Sequence, residues 1–398
     1  MIKTLLAANR AFYTFSIAVA ITYIIIPVIY WLFGNGDFYF ILLAGLALIS
    51  VMCSFLSYHM PIFDISVSRL RRIVVPLIII KWWIPLAFFA FILYTLSTAP
   101  SIPIVSAFLG ASANVLSEER GAFLKGRSGI EGSLIYLSTI FVNTLVPYSL
   151  IVLFALKHNF RYVLFIGFFI YSISFLQKAL FLNLLLPVIV YYAANHKLSK
   201  ALLLRFSVVT FGLLLTFIFM TYKFDDSTVL SDAEFLSAQY VPVGTLDFLA
   251  WRIFAVPIFT ASDTLKVHDI WFYGNQMWGA TSGFLSKIVG VENINIERHV
   301  FEYQFGGWNE SANANAVYFL DGYINFGLLG VIIYGLIVGQ FFRVFAKTRD
   351  IALSSLWILF ANAVFSGSLI GVLLSNGWIL ILIYALIFKN NKIEKLRS

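Results

Sequence analysis

Charge is scarce in this chain. Asp, Glu, Lys and Arg together supply 12% of its 398 residues, against the roughly one quarter typical of a soluble domain, and 61% of positions are hydrophobic. That balance excludes a protein folded in water alone. Cysteine is almost missing: Cys53 is the only one and falls inside an apolar run, which rules out an intramolecular disulfide and a cysteine-based metal site. Histidine is sparse as well. His59, His158 and His196 stand where apolar runs end, positions suited to polar anchors, and His268 and His299 lack the spacing of a histidine metal site, so no metal or other cofactor is expected. The short alternating segments of a membrane barrel are also absent.

What the chain has is long apolar runs, at 11–33, 38–58, 73–96, 133–156, 160–176, 179–195, 203–222, 316–342, 351–374 and 377–388. In hydrocarbon every backbone N–H and C=O must be bonded within the chain, so runs of about 20 residues imply helices. The expected fold is an all-α integral membrane protein of about ten transmembrane helices, a single polytopic domain over 1–398. The first run is too long for a signal peptide and lacks a small-residue cleavage pattern, so it is expected to be the first span.

The net charge of +8 is carried in clusters between apolar runs. That is the signature of the positive-inside rule, and no nucleic-acid partner is expected. With the amino terminus in the cytoplasm, every alternate connection is basic: Arg69, Arg71 and Arg72, then Lys157 and Arg161, then Arg343, Lys347 and Arg349, and finally the tail. Both termini are then cytoplasmic. The opposite side holds two large connections, 97–132 and 223–315. The second is about 90 residues long, far beyond an ordinary loop. Its apolar, aromatic stretches around Trp251 and Trp271 predict short interfacial helices.

Cations on the outer side run against the charge rule and so call for a reason. Arg120 and Arg127 lie in a glycine-rich segment whose backbone can approach an anion, although neighbouring glutamates could neutralise them. Arg252 stands in an apolar setting where a guanidinium needs an anionic partner, either Asp247 or a ligand phosphate. Lys178 caps its tight turn or joins the same anion site, and Arg298 is a further candidate. Outward arginines at membrane level suit the phosphates of a lipid carrier. Glu297 and His299 are chemically able to act as general bases. Asp321, one turn inside an apolar run, should face the bundle interior, a wet cavity or an outward arginine.

Three segments carry a resemblance to a family: Glu119-Arg120-Gly121, Leu249-Ala-Trp-Arg-Ile-Phe-Ala-Val-Pro257, and Asn313-Ala-Asn-Ala-Val-Tyr-Phe-Leu-Asp-Gly-Tyr-Ile-Asn-Phe-Gly-Leu-Leu-Gly330. In this order, with the span count and the two large outer connections, the chain resembles the bacterial O-antigen polymerases. The resemblance implies an inner-membrane glycosyltransferase that joins undecaprenyl-diphosphate-linked oligosaccharide repeat units at the periplasmic face, with no cofactor. It also implies contact with membrane lipid and with a chain-length regulator membrane protein. Arg120, Arg127, Lys178, Arg252 and Arg298 would then hold the diphosphate, and Glu297, His299 and Asp321 would be the catalytic candidates. Asn313, Asn315, Trp271 and Trp308 would contact sugar. The related O-antigen ligases place a histidine where Asn313 and Asn315 stand here, which favours a polymerase over a ligase. A repeat-unit flippase of the same pathway is the transporter alternative, disfavoured by the long outer connection.

Overall fold

The structure, a computed structural model, describes residues 7–34, 36–61, 73–124, 126–127, 129–174, 176, 178–194, 204, 208, 233–307, 314 and 317–389. In chain order its main helices are α1 (Ala8–Leu32), α2 (Phe38–His59), α3 (Ile79–Ser97), α4 (Ala113–Leu124), α5 (Glu131–Ala155), α6 (Phe160–Ser174), α7 (Lys178–Ala194), α8 (Thr245–Phe272), α9 (Gly283–Val289), α10 (Ile296–Phe305), α11 (Tyr318–Lys347), α12 (Ile351–Phe365), α13 (Leu369–Leu374) and α14 (Trp378–Ile387). Among the described residues six of these, α1, α2, α3, α5, α8 and α11, are long and apolar enough to cross a membrane. The described residues are predominantly helical, and the chain is a multi-pass membrane protein. The expected span at 203–222 lies outside the described residues, Leu204 and Val208 excepted.

Proline shapes four of the six long helices. π-helical turns at Ile21–Ile25, Ile79–Trp83, Phe141–Leu145 and Trp251–Ala255 each end two residues before a proline, namely Pro27, Pro85, Pro147 and Pro257. Proline has no N–H to donate and its ring collides with the carbonyl four residues back. A widened turn removes the collision and lets that carbonyl find a donor five residues on. In hydrocarbon, where no water can bond the freed group, such a repair keeps a proline-bearing helix continuous.

Helices α2 and α11 run parallel and in close contact. Ser54 Oγ donates to the Gly335 carbonyl at 2.9 Å and Ser57 Oγ to that of Leu336 at 2.6 Å, while Gln340 Nε2 donates to Ser57 Oγ at 2.9 Å. A Cβ added at Gly335 would sit 2.8 Å from the Ser50 carbonyl oxygen, and one at Gly339 would strike that of Ser54. Two glycines one turn apart let the backbones approach closely enough for serine hydroxyls to bond across.

The first nine residues of α11 fold back on the rest. Gly327 has φ 62° and ψ −151°, which breaks the helix. Across the break Gly322 packs on Gly330, where an added Cβ would collide with the Gly322 carbonyl. Tyr334 lies against Gly322, and Tyr318, whose hydroxyl accepts from Ser50 at 2.7 Å, sits at the level of Gly335. Residues 318–326 and 328–347 therefore form a helical hairpin, its turn covered by the 276–281 loop: Met277 N–H donates to the Ile324 carbonyl and Trp278 N–H to that of Asn325, both at 3.0 Å. The sequence reads as one straight span over 316–342; a glycine in a left-handed conformation, inside an otherwise apolar stretch, makes it two.

The connection 223–315 also departs from expectation. Besides the short α9 and α10 it contains α8, a 28-residue helix standing beside α1 and α2. Its polar residues Asp263, Lys266 and Asp269 obscure it in the sequence, but they turn toward partners on the bundle. Lys266 Nζ pairs with Asp37 at 2.8 Å, and Asp269 accepts from Tyr39 OH at 2.6 Å. Those contacts fix one end of the bundle at the α1–α2 turn. At the other end a two-residue parallel ladder joins Ile73–Val74 to Phe388–Lys389, and Tyr148 OH donates to buried Asp350 at 2.6 Å.

Gly330→Ala is expected to lower the melting temperature of the purified protein, the collision costing roughly 1–3 kcal/mol. Gly45→Ala, in α2 with nothing within 4 Å of an added Cβ, should be neutral or raise it. Equal melting temperatures for the two variants would contradict the hairpin.

Candidate functional site

Two cavities open between α1, α8 and α10, and Phe259 and Gln304 belong to the walls of both. The first, of about 470 Å³, lies at the end of the bundle marked by Asp37 and is polar. Lys266 bridges two carboxylates there, Asp37 at 2.8 Å and Asp263 Oδ1 at 3.3 Å. Asp263 Oδ2 accepts from Gln304 Nε2 at 2.8 Å. Glu234 accepts from Tyr30 OH, and Gln239 donates through Nε2 to the Gln304 carbonyl at 3.1 Å. With three carboxylates on its walls and one lysine, this cavity repels anions and offers many hydrogen bonds to hydroxyl groups.

The second cavity, of about 380 Å³, is mostly apolar, walled by Tyr23, Trp251, Val256, Pro257, Phe301 and Phe305. Its one formal charge among lining residues is Arg252. The guanidinium lies over the rings of Phe248, 5.5 Å from its centroid, and Trp251 at 5.9 Å. Asp247 is engaged elsewhere, accepting from Tyr240 OH at 3.0 Å and from Val243 N–H at 2.9 Å. The π-turn at Trp251–Ala255 buries Trp251 and Ala255 and leaves Arg252, Ile253 and Phe254 exposed, and Pro257 accounts for the turn. Along α1, Tyr23 of this cavity and Tyr30 of the polar one stand on one helix seven positions apart, about 10 Å at a helical rise.

The other residues singled out in the sequence are dispersed. Arg127 is a structural clamp: Nε donates to the Phe123 carbonyl at 3.0 Å, Nη1 to Thr98 Oγ1 at 2.6 Å and Nη2 to the Thr95 carbonyl at 3.0 Å, with Glu131 at 3.6 Å. Arg120 is half-buried and donates to the Leu116 carbonyl at 3.0 Å; burial lowers its guanidinium pKa from the ordinary value. Neither arginine lines either cavity. Glu297 and Arg298 form the first turn of α10, capped by Asn295, and line neither cavity. His299 packs edge-on to Trp271 at 5.7 Å and Phe272 at 5.4 Å, with Glu302 3.8 Å from Nδ1. Trp271 also meets Tyr303, a wall residue of the polar cavity, so Trp271, His299 and Tyr303 make an aromatic ledge at its rim. Asp321 has no arginine partner among the described residues; Thr281 Oγ1 donates to its Oδ1 at 2.8 Å and Asn325 Nδ2 at 3.0 Å. Lys178 starts α7, but its side chain, together with Trp308, Asn313 and Asn315, lies outside the described residues.

The polar cavity was not evident in the sequence. Lys266 is one of the cations of the connection 223–315, and Asp263 precedes it by one helical turn. Their third partner, Asp37, lies more than 200 positions earlier, and nothing in the pattern links it to them. No family model matches the chain, no curated protein matches its sequence, and no solved structure matches its fold.

Arg127→Ala strips a half-buried set of carbonyls and hydroxyls of their donor, and should cost about 1–3 kcal/mol of stability. A melting temperature for Arg127→Ala equal to that of the parent protein in a thermal-shift assay would contradict the clamp.

Proposed function

We propose that the chain is an O-antigen polymerase, a glycosyltransferase of the bacterial inner membrane acting on undecaprenyl-diphosphate-linked oligosaccharides at the periplasmic face. The observation that carries this reading is the pair of adjoining cavities of opposite character, one apolar with a single arginine and the other lined by hydroxyls, amides and carboxylates. A lipid-linked sugar has the same division: an apolar chain, an anionic diphosphate, then neutral rings rich in hydroxyl groups. The basic connections that follow α2 support an outer position for the Asp37 end of the bundle, where lipid-linked repeat units are displayed.

On this reading Arg252 meets the donor diphosphate. As the bond from the anomeric carbon to the phosphate oxygen breaks, negative charge grows on that oxygen. A guanidinium already in place stabilises it more than it stabilises the ground state. The acceptor hydroxyl attacks the anomeric carbon from the polar cavity and gives its proton to a carboxylate. Glu234, oriented by Tyr30, is placed for this, whereas both oxygens of Asp263 are already bonded. Direct displacement inverts the anomeric configuration. Trp271 and Tyr303 at the rim offer ring faces to the sugar chain.

The test is complementation of a strain lacking its polymerase, with surface polysaccharide resolved on a gel. The parent chain should restore a ladder. Arg252→Ala, at equal membrane abundance, should leave lipid A core bearing one repeat unit and no ladder, a loss of at least tenfold in polymer, while Arg252→Lys retains a partial one. A full ladder from Arg252→Ala would remove the diphosphate assignment. Core with no repeat unit at all in the strain lacking this chain would point to a ligase or flippase instead.

A further inference from the structure

The Gly327 hairpin encloses a carboxylate that the glycosyl-transfer reading does not use. Asp321 is 4% exposed. Its Oδ1 is fully engaged, by Thr281 Oγ1 at 2.8 Å and Asn325 Nδ2 at 3.0 Å, but its Oδ2 is buried with no hydrogen-bond partner. The hydroxyl of Tyr334, on the opposite arm of the hairpin, is likewise buried and unpartnered, in a side chain 4% exposed. Tyr334 packs on Gly322, the residue after Asp321, so the two orphaned oxygens belong to one enclosure.

Among the described residues no Lys, Arg or His pairs with Asp321. The nearest charged groups on the packed face of α8 are committed: Lys266 to Asp37 and Asp263, Asp269 to Tyr39, and His268, whose ring lies 6.1 Å from that of Tyr323, to the Asn275 carbonyl at 2.9 Å. A lone carboxylate held among neutral groups inside a membrane helix pair is costly unless a proton or a cation balances its charge. One positive charge balances it; a divalent ion would leave a buried excess. All the available ligands are oxygen atoms, a hard set without the nitrogen or sulfur that transition metals favour.

We propose that the hairpin binds one monovalent cation between Asp321 and Tyr334, with Thr281 completing the polar wall, and sodium is the probe. The ion ties the two arms of the hairpin together and, through Thr281, holds the 276–281 loop over the turn. The arm that starts at Tyr318 follows Ala314, a wall residue of the Arg252 cavity. Cation occupancy therefore sets the position of one wall of that cavity. This inference stands independently of the chemistry proposed above.

The experiment is thermal unfolding of the purified full-length protein, followed by tryptophan fluorescence, in sodium chloride and in N-methyl-D-glucamine chloride at matched ionic strength. A saturable rise of about 3 °C or more with sodium is expected for the parent chain. Asp321→Asn, which keeps the shape and removes the charge, should melt at one temperature in both salts. Tyr334→Phe should raise the sodium midpoint at least threefold. Identical melting in the two salts would overturn the proposal, as would a sodium shift that survives in Asp321→Asn. A melting temperature that rises on acidification in both salts alike would assign the site to a proton and overturn it too.

Discussion

Inside a bilayer no water is available to bond a displaced backbone group, so each break in a helix has to be mended by the protein itself. The rest of this architecture depends on that constraint. Where prolines interrupt α1, α3, α5 and α8, a π-turn precedes them and the helix continues. Where α11 breaks at Gly327, mending takes a second segment: Met277 and Trp278 bring N–H donors to the carbonyls of Ile324 and Asn325. The two solutions have different outcomes. A π-turn shifts the helical face by a fraction of a turn and reorients side chains such as Arg252. The glycine break reverses the chain and creates an enclosed polar space.

Charge follows the same logic. Lys266 on α8 is tolerated because Asp37 and Asp263 flank it, and Arg127 because three carbonyl or hydroxyl oxygens and Glu131 receive it. Removing one member of such a set leaves the others uncompensated, and that loss exceeds whatever the intact pair contributes. Arg252 also lies against aromatic faces, those of Phe248 and Trp251, beside an apolar cavity.

Apolar periodicity marks α1, α2 and α5 to within a few residues because their runs are unbroken and their flanks polar, whereas α3 starts six residues later than its run, whose first two residues form a strand. It misses α8, since Asp263, Lys266 and Asp269 read as loop chemistry until their partners Gln304, Asp37 and Tyr39 are known. It also merged the two arms of α11, because Phe326-Gly-Leu-Leu-Gly330 is as apolar as any helix and only a backbone angle at Gly327 distinguishes a bend from a span. The site was half legible. Arg252 stands out as a cation in an apolar stretch, whereas the polar cavity is assembled from residues as distant as Tyr30, Glu234 and Gln304. For Arg127 the glycine-rich surroundings leave an anion site and neutralisation by a glutamate equally open, and in the structure Glu131 and three carbonyl or hydroxyl oxygens surround it.

The small parallel ladder between Ile73–Val74 and Phe388–Lys389 carries a consequence for biogenesis. Its two strands are separated by more than 300 residues, so the first cannot find its partner until nearly the whole chain has left the ribosome and every intervening helix has been inserted. Contacts of such sequence separation form late. The ladder is therefore a closing latch, and the segment between α2 and α3 must wait, unsatisfied at its strand edge, for the last helix to arrive.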